Sequence, residues 1–325
     1  MKRGAILVNI GSPEAPTAPA VRRYLGSFLS DPRILGMPAA VRVPLVYGLI
    51  APLRASRSAH AYAKIWTPQG SPLTLHGQAL AAATGAVYAT RYGRPSLDDA
   101  LDRLGDTDEI TVLPLYPQYA AATTASTMDA LGEVLARRVR VPAIRVVPPF
   151  WAHPGFLDAA AAVARPVLEA EAPERVLFSY HGLPESQVRA ACDGALTATC
   201  CDGQSPPPFC YRAQCLATTR LLAARLGIDA PVTTFQSRLG PAKWIGPATL
   251  DTVLELARSG VKRVVVLTPS FVADCLETLE ELGVSARDQF VAAGGERLVV
   301  APCVNTHPRW VEAVEDLLGG APRPS

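Results

Sequence analysis

Two sets of side chains in this chain of 325 residues have the types and spacing to do chemistry. The first starts at His181, which directly follows the run RVLFSY (residues 175–180) and precedes Gly-Leu-Pro. A β-branched and aromatic run predicts a buried strand, so the imidazole stands where a strand opens into a loop, the place where α/β proteins keep their sites. A single histidine there is as readily a satisfied structural residue, and His181 gains weight only from a second group. That group is Asp274, Glu277 and Glu281, carboxylates at i, i+3 and i+7 in a stretch, residues 271–282, that reads as a helix with Ser270 as N-cap and Gly283 as stop. Charge at helical spacing is ordinarily a solvated face. Here Phe271, Leu276 and Leu279 surround the acids, which puts at least one carboxylate near a cleft at the strand ends. An imidazole and a carboxylate facing each other across a cleft can bind a divalent cation weakly or accept protons in turn.

The second set is Cys192, Cys200, Cys201, Cys210 and Cys215, spaced C-x7-C-C-x8-C-x4-C in a segment broken by Asp, Gly and three consecutive prolines. No helix or strand runs through such a segment, so something besides a hydrophobic core must hold it. Seven cysteines in a chain read as cytosolic argue against a disulfide framework, and the clustering of these five argues for a metal or iron–sulfur centre. Paired C-x2-C knuckles, the usual mark of structural zinc, are absent, whereas a 2Fe-2S centre needs four thiolates and tolerates irregular loops. The spacing therefore favours a 2Fe-2S cluster over zinc or free thiols. Its ligands would be Cys192, Cys210, Cys215 and either Cys200 or Cys201, because adjacent residues rarely both aim at one centre. Cys303 lies in an apolar run and reads as a small core residue.

These residues need a scaffold. The chain is 49% apolar with a formal charge of +2, and its Lys and Arg are scattered. That composition supports one large core or two ordinary ones and argues against disorder and against nucleic-acid partners. Buried strands are expected at residues 5–10, 109–116, 143–147, 175–180, 232–236, 263–268 and 298–304, with helical stretches alternating between them. This alternation predicts an α/β fold of two similar doubly wound domains with parallel sheets and a site in the cleft between them. A boundary near 148–154 gives domains 1–150 and 151–325, the second carrying the Cys-rich insertion 192–215, with the C-terminal helix a candidate for packing on the first half. ILVNIGSPE from Ile6 aligns with LFSYHGLPE from Leu177, Gly, Pro and Glu in step, and Ile10 takes the place of His181.

Neither G-x-G-x-x-G after the first strand nor G-x-x-x-x-G-K-[ST] occurs, so the fold must serve a ligand other than a dinucleotide or nucleoside triphosphate. Residues 36–53, GMPAAVRVPLVYGLIAPL, are interrupted by Arg42 and three prolines and are too broken to span a bilayer. They read either as an ordinary core or surface helix or as an exposed apolar lip suited to a flat apolar ligand or to peripheral membrane contact. The opening MKRGAILVNIGSPE leads straight into a strand and turn rather than a signal peptide, and a cytoplasmic location is expected.

LVNIGSPEAPT, RRYLGSFLSDPR, AYAKIWTPQGSPL, LPLYPQYAAATTAS, FSYHGLP, FQSRLGPAKWIGP and SFVADCLETLEELG, in this order along nearly the whole chain, resemble the motifs of ferrochelatases, which insert ferrous iron into a porphyrin at the end of haem synthesis. The resemblance implies that His181 and Glu277 are the central catalytic pair and contact the substrate Fe2+, with Asp274 and Glu281 as an acidic path. It implies porphyrin contacts at Arg54, Tyr62 and Ser71, and at the aromatic positions Tyr119, Trp244 and Phe271, each of which is otherwise an ordinary core type. Cys275 departs from the pattern: many relatives have histidine there, and a thiol redirects any metal path through that position. Some bacterial members carry a 2Fe-2S cluster whose ligands all lie in an internal segment, as the cysteines do here.

The implied mechanism is physically coherent. A planar porphyrin holds its nitrogen lone pairs in the ring plane, so clamping it into a saddle aims them at the incoming Fe2+, a use of binding energy for distortion. Two N–H protons must leave, and histidine is the side chain suited to take them near neutral pH. Metal insertion involves no net electron transfer, so a cluster would stabilise or sense. Protoporphyrin IX, giving protohaem, is the expected substrate, because the Tyr-Pro-Gln-Tyr and Trp-Thr segments resemble those of protoporphyrin users. Coproporphyrin III, insertion of cobalt or nickel, and a non-catalytic haem or metal sensor are the alternatives.

Overall fold

Short continuous apolar runs can be buried only where both faces of a strand are covered, the condition of a parallel sheet flanked by helices. The structure is a computed structural model and describes residues 2–192, 196–197, 199–201, 205–238, 240 and 242–319. Its elements run β1 (Arg3–Asn9), α1 (Ala18–Leu29), α2 (Ala39–Leu45), a π-helical turn (Val46–Ile50), α3 (Ala51–Ile65), α4 (Pro72–Thr84), β2 (Val87–Thr90), α5 (Leu97–Leu104), β3 (Glu109–Pro114), a second π-helical turn (Ala121–Ala125), α6 (Ser126–Leu135) and β4 (Ala143–Val146). They continue as α7 (Pro154–Glu171), β5 (Arg175–His181), α8 (Glu185–Ala191), α9 (Tyr211–Leu226), β6 (Val232–Gln236), α10 (Thr249–Arg258), β7 (Arg263–Leu267), a π-helix (Glu277–Ala286), α11 (Arg287–Ala292), β8 (Arg297–Val300) and α12 (Pro308–Leu317).

Two four-stranded parallel sheets result, in the orders β2-β1-β3-β4 and β6-β5-β7-β8. The orders are the same once β5 is counted as β1, so the repeat read from the sequence is a repeat of topology. In each sheet the chain leaves the first strand to one side and then crosses to the other. The loops therefore diverge at the carboxyl ends of β1 and β3, and of β5 and β7, where doubly wound sheets form a crevice. His181 is the last residue of β5, and Thr268–Phe271 follows β7.

The chain divides into two compact units, Met1–Tyr116 with Ala121–Pro149 and Val311–Ser325, and Pro117–Ala120 with Phe150–Trp310. In the first, Ile6, Val8, Ile110 and Val112 of the sheet pack with Leu97 and Leu101 of α5 and Leu131 of α6. In the second, Leu177, Val264, Val266 and Leu298 pack with Val253 of α10 and Phe290 of α11. Trp310, fully buried, closes an aromatic group with Phe150 and Phe156 at ring separations of 5.4 and 5.7 Å. The rest of α12 belongs to the first unit, where Arg145 Nη1 donates to the Leu318 carbonyl at 3.3 Å.

A run of buried hydroxyls crosses the second sheet: Thr249 Oγ1 lies 2.9 Å from Thr234 Oγ1 and 2.8 Å from Ser179 Oγ, and Ser179 Oγ donates to Gln236 Oε1 at 2.6 Å.

The stretch expected as a helix over 271–282 is different. Residues 269–274 are held as a loop, with Asp274 N donating to Asn305 Oδ1 at 2.9 Å and Asn305 N donating to the Val272 carbonyl at 2.9 Å. The helix begins only near Glu277, is wound as a π-helix, and passes through Gly283 into α11. Asp274 is therefore not on a shared helical face with Glu277 and Glu281, and Gly283 stops nothing. Ser270, the expected N-cap, spends its hydroxyl elsewhere.

Candidate active site

His181 is half-buried at the end of β5, in register with Gln236 of β6. Its main chain is held on both sides, His181 N donating to Ser270 Oγ at 3.2 Å and Tyr211 OH donating to the His181 carbonyl at 2.7 Å. The ring nitrogen Nδ1 lies 2.7 Å from the Gly182 carbonyl. A carbonyl oxygen only accepts, so Nδ1 carries the proton and the lone pair is on Nε2. That nitrogen can take a proton or a metal ion. The Phe271 ring stands 6.4 Å from the imidazole, centroid to centroid.

Glu277 begins the π-helix, and its placement relative to His181 depends on Gln236. Gln236 Nε2 donates to the Glu277 carbonyl at 3.1 Å, and the Gln236 carbonyl accepts from Gly182 N at 2.7 Å. One residue thus ties the loop after the histidine to the start of the helix that carries the glutamate. A wider helical turn is common at functional sites because it re-aims side chains. Glu281, one turn on, accepts from Ser237 Oγ, and Ser237 adopts a left-handed φ of 63° to present that hydroxyl. Such a backbone costs a non-glycine residue about 1 kcal/mol.

Asp274 uses both carboxylate oxygens on the neighbouring loop, Oδ1 accepting from Cys303 N at 3.0 Å and Oδ2 from Asn305 Nδ2 at 2.7 Å. The thiol of Cys275 is pushed well above its ordinary pKa, by burial first and then by the Glu277 carboxylate. It therefore stays a neutral thiol.

Trp244 lies against Gly182, a side chain at which would meet the Gln236 carbonyl at 2.8 Å and the Trp244 ring at 3.2 Å. Only glycine fits there. Tyr119 N donates to Gln214 Oε1 of α9 at 2.7 Å, and its ring packs edge-on against Phe209 at 5.0 Å. In the first unit, Arg54 is exposed on α3, Tyr62 is buried on the same helix with its ring 6.1 Å from Trp66, and Ser71 is the buried N-cap of α4. The structure thus brings His181, Phe271 and Trp244 to one strand end. Tyr211, Gln236 and Asn305 were not singled out from the sequence. Gln236 sits inside the FQSR motif, and that position was the available signal.

The apolar segment at 36–53 is inverted relative to an ordinary surface helix. Met37, Val41, Val43, Tyr47, Leu49 and Leu53 are exposed, whereas Arg42 is buried and donates to the carbonyls of Ser30, at 2.8 Å, and of Met37. Among the described residues no helix is long and apolar enough to cross a membrane.

Cys201, Cys210 and Cys215 are buried, Cys192 is half-buried and packs on the first two, and Cys200 is exposed. Cys201 Sγ is 3.9 Å from Cys210 Sγ, and Arg212 Nη1 is 3.7 and 3.6 Å from the sulfurs of Cys200 and Cys201. Two thiolates on one tetrahedral metal ion with bonds of about 2.3 Å stand about 3.8 Å apart, so this pair fits a shared metal. Among the described residues no set of three or more His, Cys, Asp or Glu is closed up around a metal position. Asp193 and Asp202 of the same segment lie outside the described residues.

The ferrochelatase family model matches residues 2–320. The chain belongs to the ferrochelatase family. A ferrochelatase of Legionella pneumophila (strain Lens) is 41% identical over 329 residues, covering 98% of this chain and 99% of that protein. Ferrochelatases of Pseudomonas putida and Coxiella burnetii (strain CbuK_Q154) are 43% and 42% identical, each covering 96% of this chain, and 97% and 92% of their own lengths. Among solved structures, SirB from Bacillus subtilis with Fe3+ superposes with a TM-score of 0.50 at 13% identity, over 98% of this chain and 94% of that one, a likeness of fold. The chain is accordingly an enzyme of the ferrochelatase type, a lyase, built on the two-sheet α/β fold.

Proposed function

We propose that the protein inserts Fe2+ into protoporphyrin IX, forming protohaem and releasing two protons, in haem biosynthesis. The observation that carries this reading is the state of His181: Nδ1–H is committed to the Gly182 carbonyl, and the Nε2 lone pair is left for chemistry at the switch point of the second sheet. Nε2 accepts the pyrrole protons. Glu277, with Glu281 farther along the π-helix, delivers the metal or carries the protons away. Asp274, with both carboxylate oxygens bonded to the neighbouring loop, serves mainly to anchor the loop before Glu277. Phe271, Trp244 and Tyr119 offer flat surfaces to the porphyrin, and Arg54, Tyr62 and Ser71 are the remaining contacts.

Purified protein given protoporphyrin IX and Fe2+ without oxygen should develop haem absorbance, faster than with coproporphyrin III or with Co2+ or Ni2+. His181→Ala should lower the rate at least about 100-fold, the low end of a lost general base. Unchanged turnover in that variant would remove the assignment, and absence of haem with every porphyrin would favour a sensor.

The cysteine segment is proposed to hold a 2Fe-2S cluster on Cys192, Cys201, Cys210 and Cys215, with Cys200 outside it. Support comes from the burial of Cys201 and its 3.9 Å approach to Cys210, against the exposure of Cys200. The group would supply a covalent cross-link that holds a proline-rich segment with little core of its own. Cys201→Ser purified without oxygen should be colourless and Cys200→Ser coloured. The reverse, or zinc in the wild type by elemental analysis, would refute the assignment. The protein is proposed to be cytoplasmic and to touch membrane surfaces through the apolar lip at 36–53.

A further inference from the structure

Helix α9 starts inside the cysteine segment, with Cys210 as its N-cap residue, and its first turn faces the candidate active site. Tyr211 OH donates to the His181 carbonyl at 2.7 Å, and three residues later Gln214 Oε1 accepts from Tyr119 N at 2.7 Å. Both side chains are almost fully buried, Tyr211 at 6% exposure and Gln214 at 1%. Gln214 Nε2 donates to the Pro208 carbonyl at 2.7 Å, so the turn is also fastened to the proline run before it.

We propose that Tyr211 is the positioning residue for His181, fixing the peptide that carries the imidazole and coupling its aim to the first turn of α9. The peptide after His181 is paired at its amide end, Gly182 N donating to the Gln236 carbonyl at 2.7 Å, which leaves the carbonyl and the amide of His181 itself free to tilt unless side chains hold them. Tyr211 and Ser270 remove that freedom from opposite sides, one at the carbonyl and one at the amide. Misplacement of a catalytic group by about 1 Å costs on the order of 100-fold in rate, so a partial loosening is felt in kcat before it is felt in stability.

This inference rests on the reading of His181 as the proton acceptor. The test compares Tyr211→Phe with Tyr180→Phe. Tyr180 is equally a buried tyrosine, bonded through its hydroxyl to Thr219 Oγ1 at 2.9 Å and not to the His181 main chain. Tyr211→Phe should lose about 10-fold in kcat with the porphyrin KM within about twofold, and should shift the His181 ring signal in the nuclear magnetic resonance spectrum of histidine-labelled protein. Tyr180→Phe should keep kcat and leave that signal in place. Should Tyr211→Phe fail to fold, Ser270→Ala removes the opposite restraint and should give the same kcat loss and signal shift. An unmoved ring signal, or equal kcat losses in the two tyrosine variants, would overturn the proposal. Full turnover in His181→Ala with a shifted signal in Tyr211→Phe would instead remove the catalytic reading and leave the positioning intact.

Discussion

Asp31 accepts from Arg91 Nη2 and Tyr92 OH at 2.7 Å each and from Ser126 Oγ at 2.6 Å, all onto one oxygen, Oδ2. Burial pulls its pKa up, but the hydroxyls of Ser126 and Tyr92, the amide of Arg33 and the Arg91 cation outweigh that and hold it below its ordinary 3.8. A carboxyl depressed in the folded state adds stability above its unfolded value and loses it as pH falls through the folded one. Asp31→Asn leaves Arg91, only 17% exposed, without a counter-charge. It should cost about 3 kcal/mol at neutral pH by urea denaturation, and should flatten the acid limb of the stability curve below 3.8. An acid limb as steep as in the wild type would mean that other groups drive the loss. The role of this residue was not read from the sequence, because SDPR shows no sign of which of its side chains turns inward.

At the scale of elements, the apolar runs were legible and the exceptions are physical. β6 was expected over the residues where it occurs, and α9, one of the alternating helical stretches, ends at Gly227 with a φ of 69°. β2, four residues long, and α7, rich in alanine with Pro166 inside, carry too weak a periodic signal to stand out. The π-helix was hidden for another reason: its acids match an α-helical spacing by chance, and only the tether of Asp274 to Asn305 reveals where winding begins. The segment from α2 into α3 supports a prediction of its own. Val41, Val43, Tyr47, Leu49 and Leu53 face outward while Arg42 faces inward, the opposite of what solubility favours. Leu49→Asp with Leu53→Asp should change stability by no more than about 0.5 kcal/mol, as expected of exposed sites, and should abolish sedimentation with phospholipid vesicles. Binding that survives both changes would place membrane contact elsewhere.

Across the whole molecule, two sheets of the same strand order carry different chemistry. The register of ILVNIGSPE against LFSYHGLPE puts Ile10 where the second half has His181, so one copy of the plan bears an imidazole and the other an apolar residue. That asymmetry was readable from the chain, as was the alternation that dictates the fold. How the histidine is held was not, because Tyr211, Gln236 and Ser270 reach it through main-chain atoms, and main-chain partners leave no pattern in side-chain order. The buried hydroxyls of Thr234, Thr249 and Ser179 with Gln236 have a further consequence. A purely aliphatic sheet tolerates sliding by two residues, since every second side chain points the same way and one apolar contact replaces another. Here any such slide strands several polar groups in the core, at about 1–3 kcal/mol apiece. Two sheets of like order on one chain invite strands to pair with the wrong copy during folding, and these hydroxyls give the second sheet a means of rejecting them.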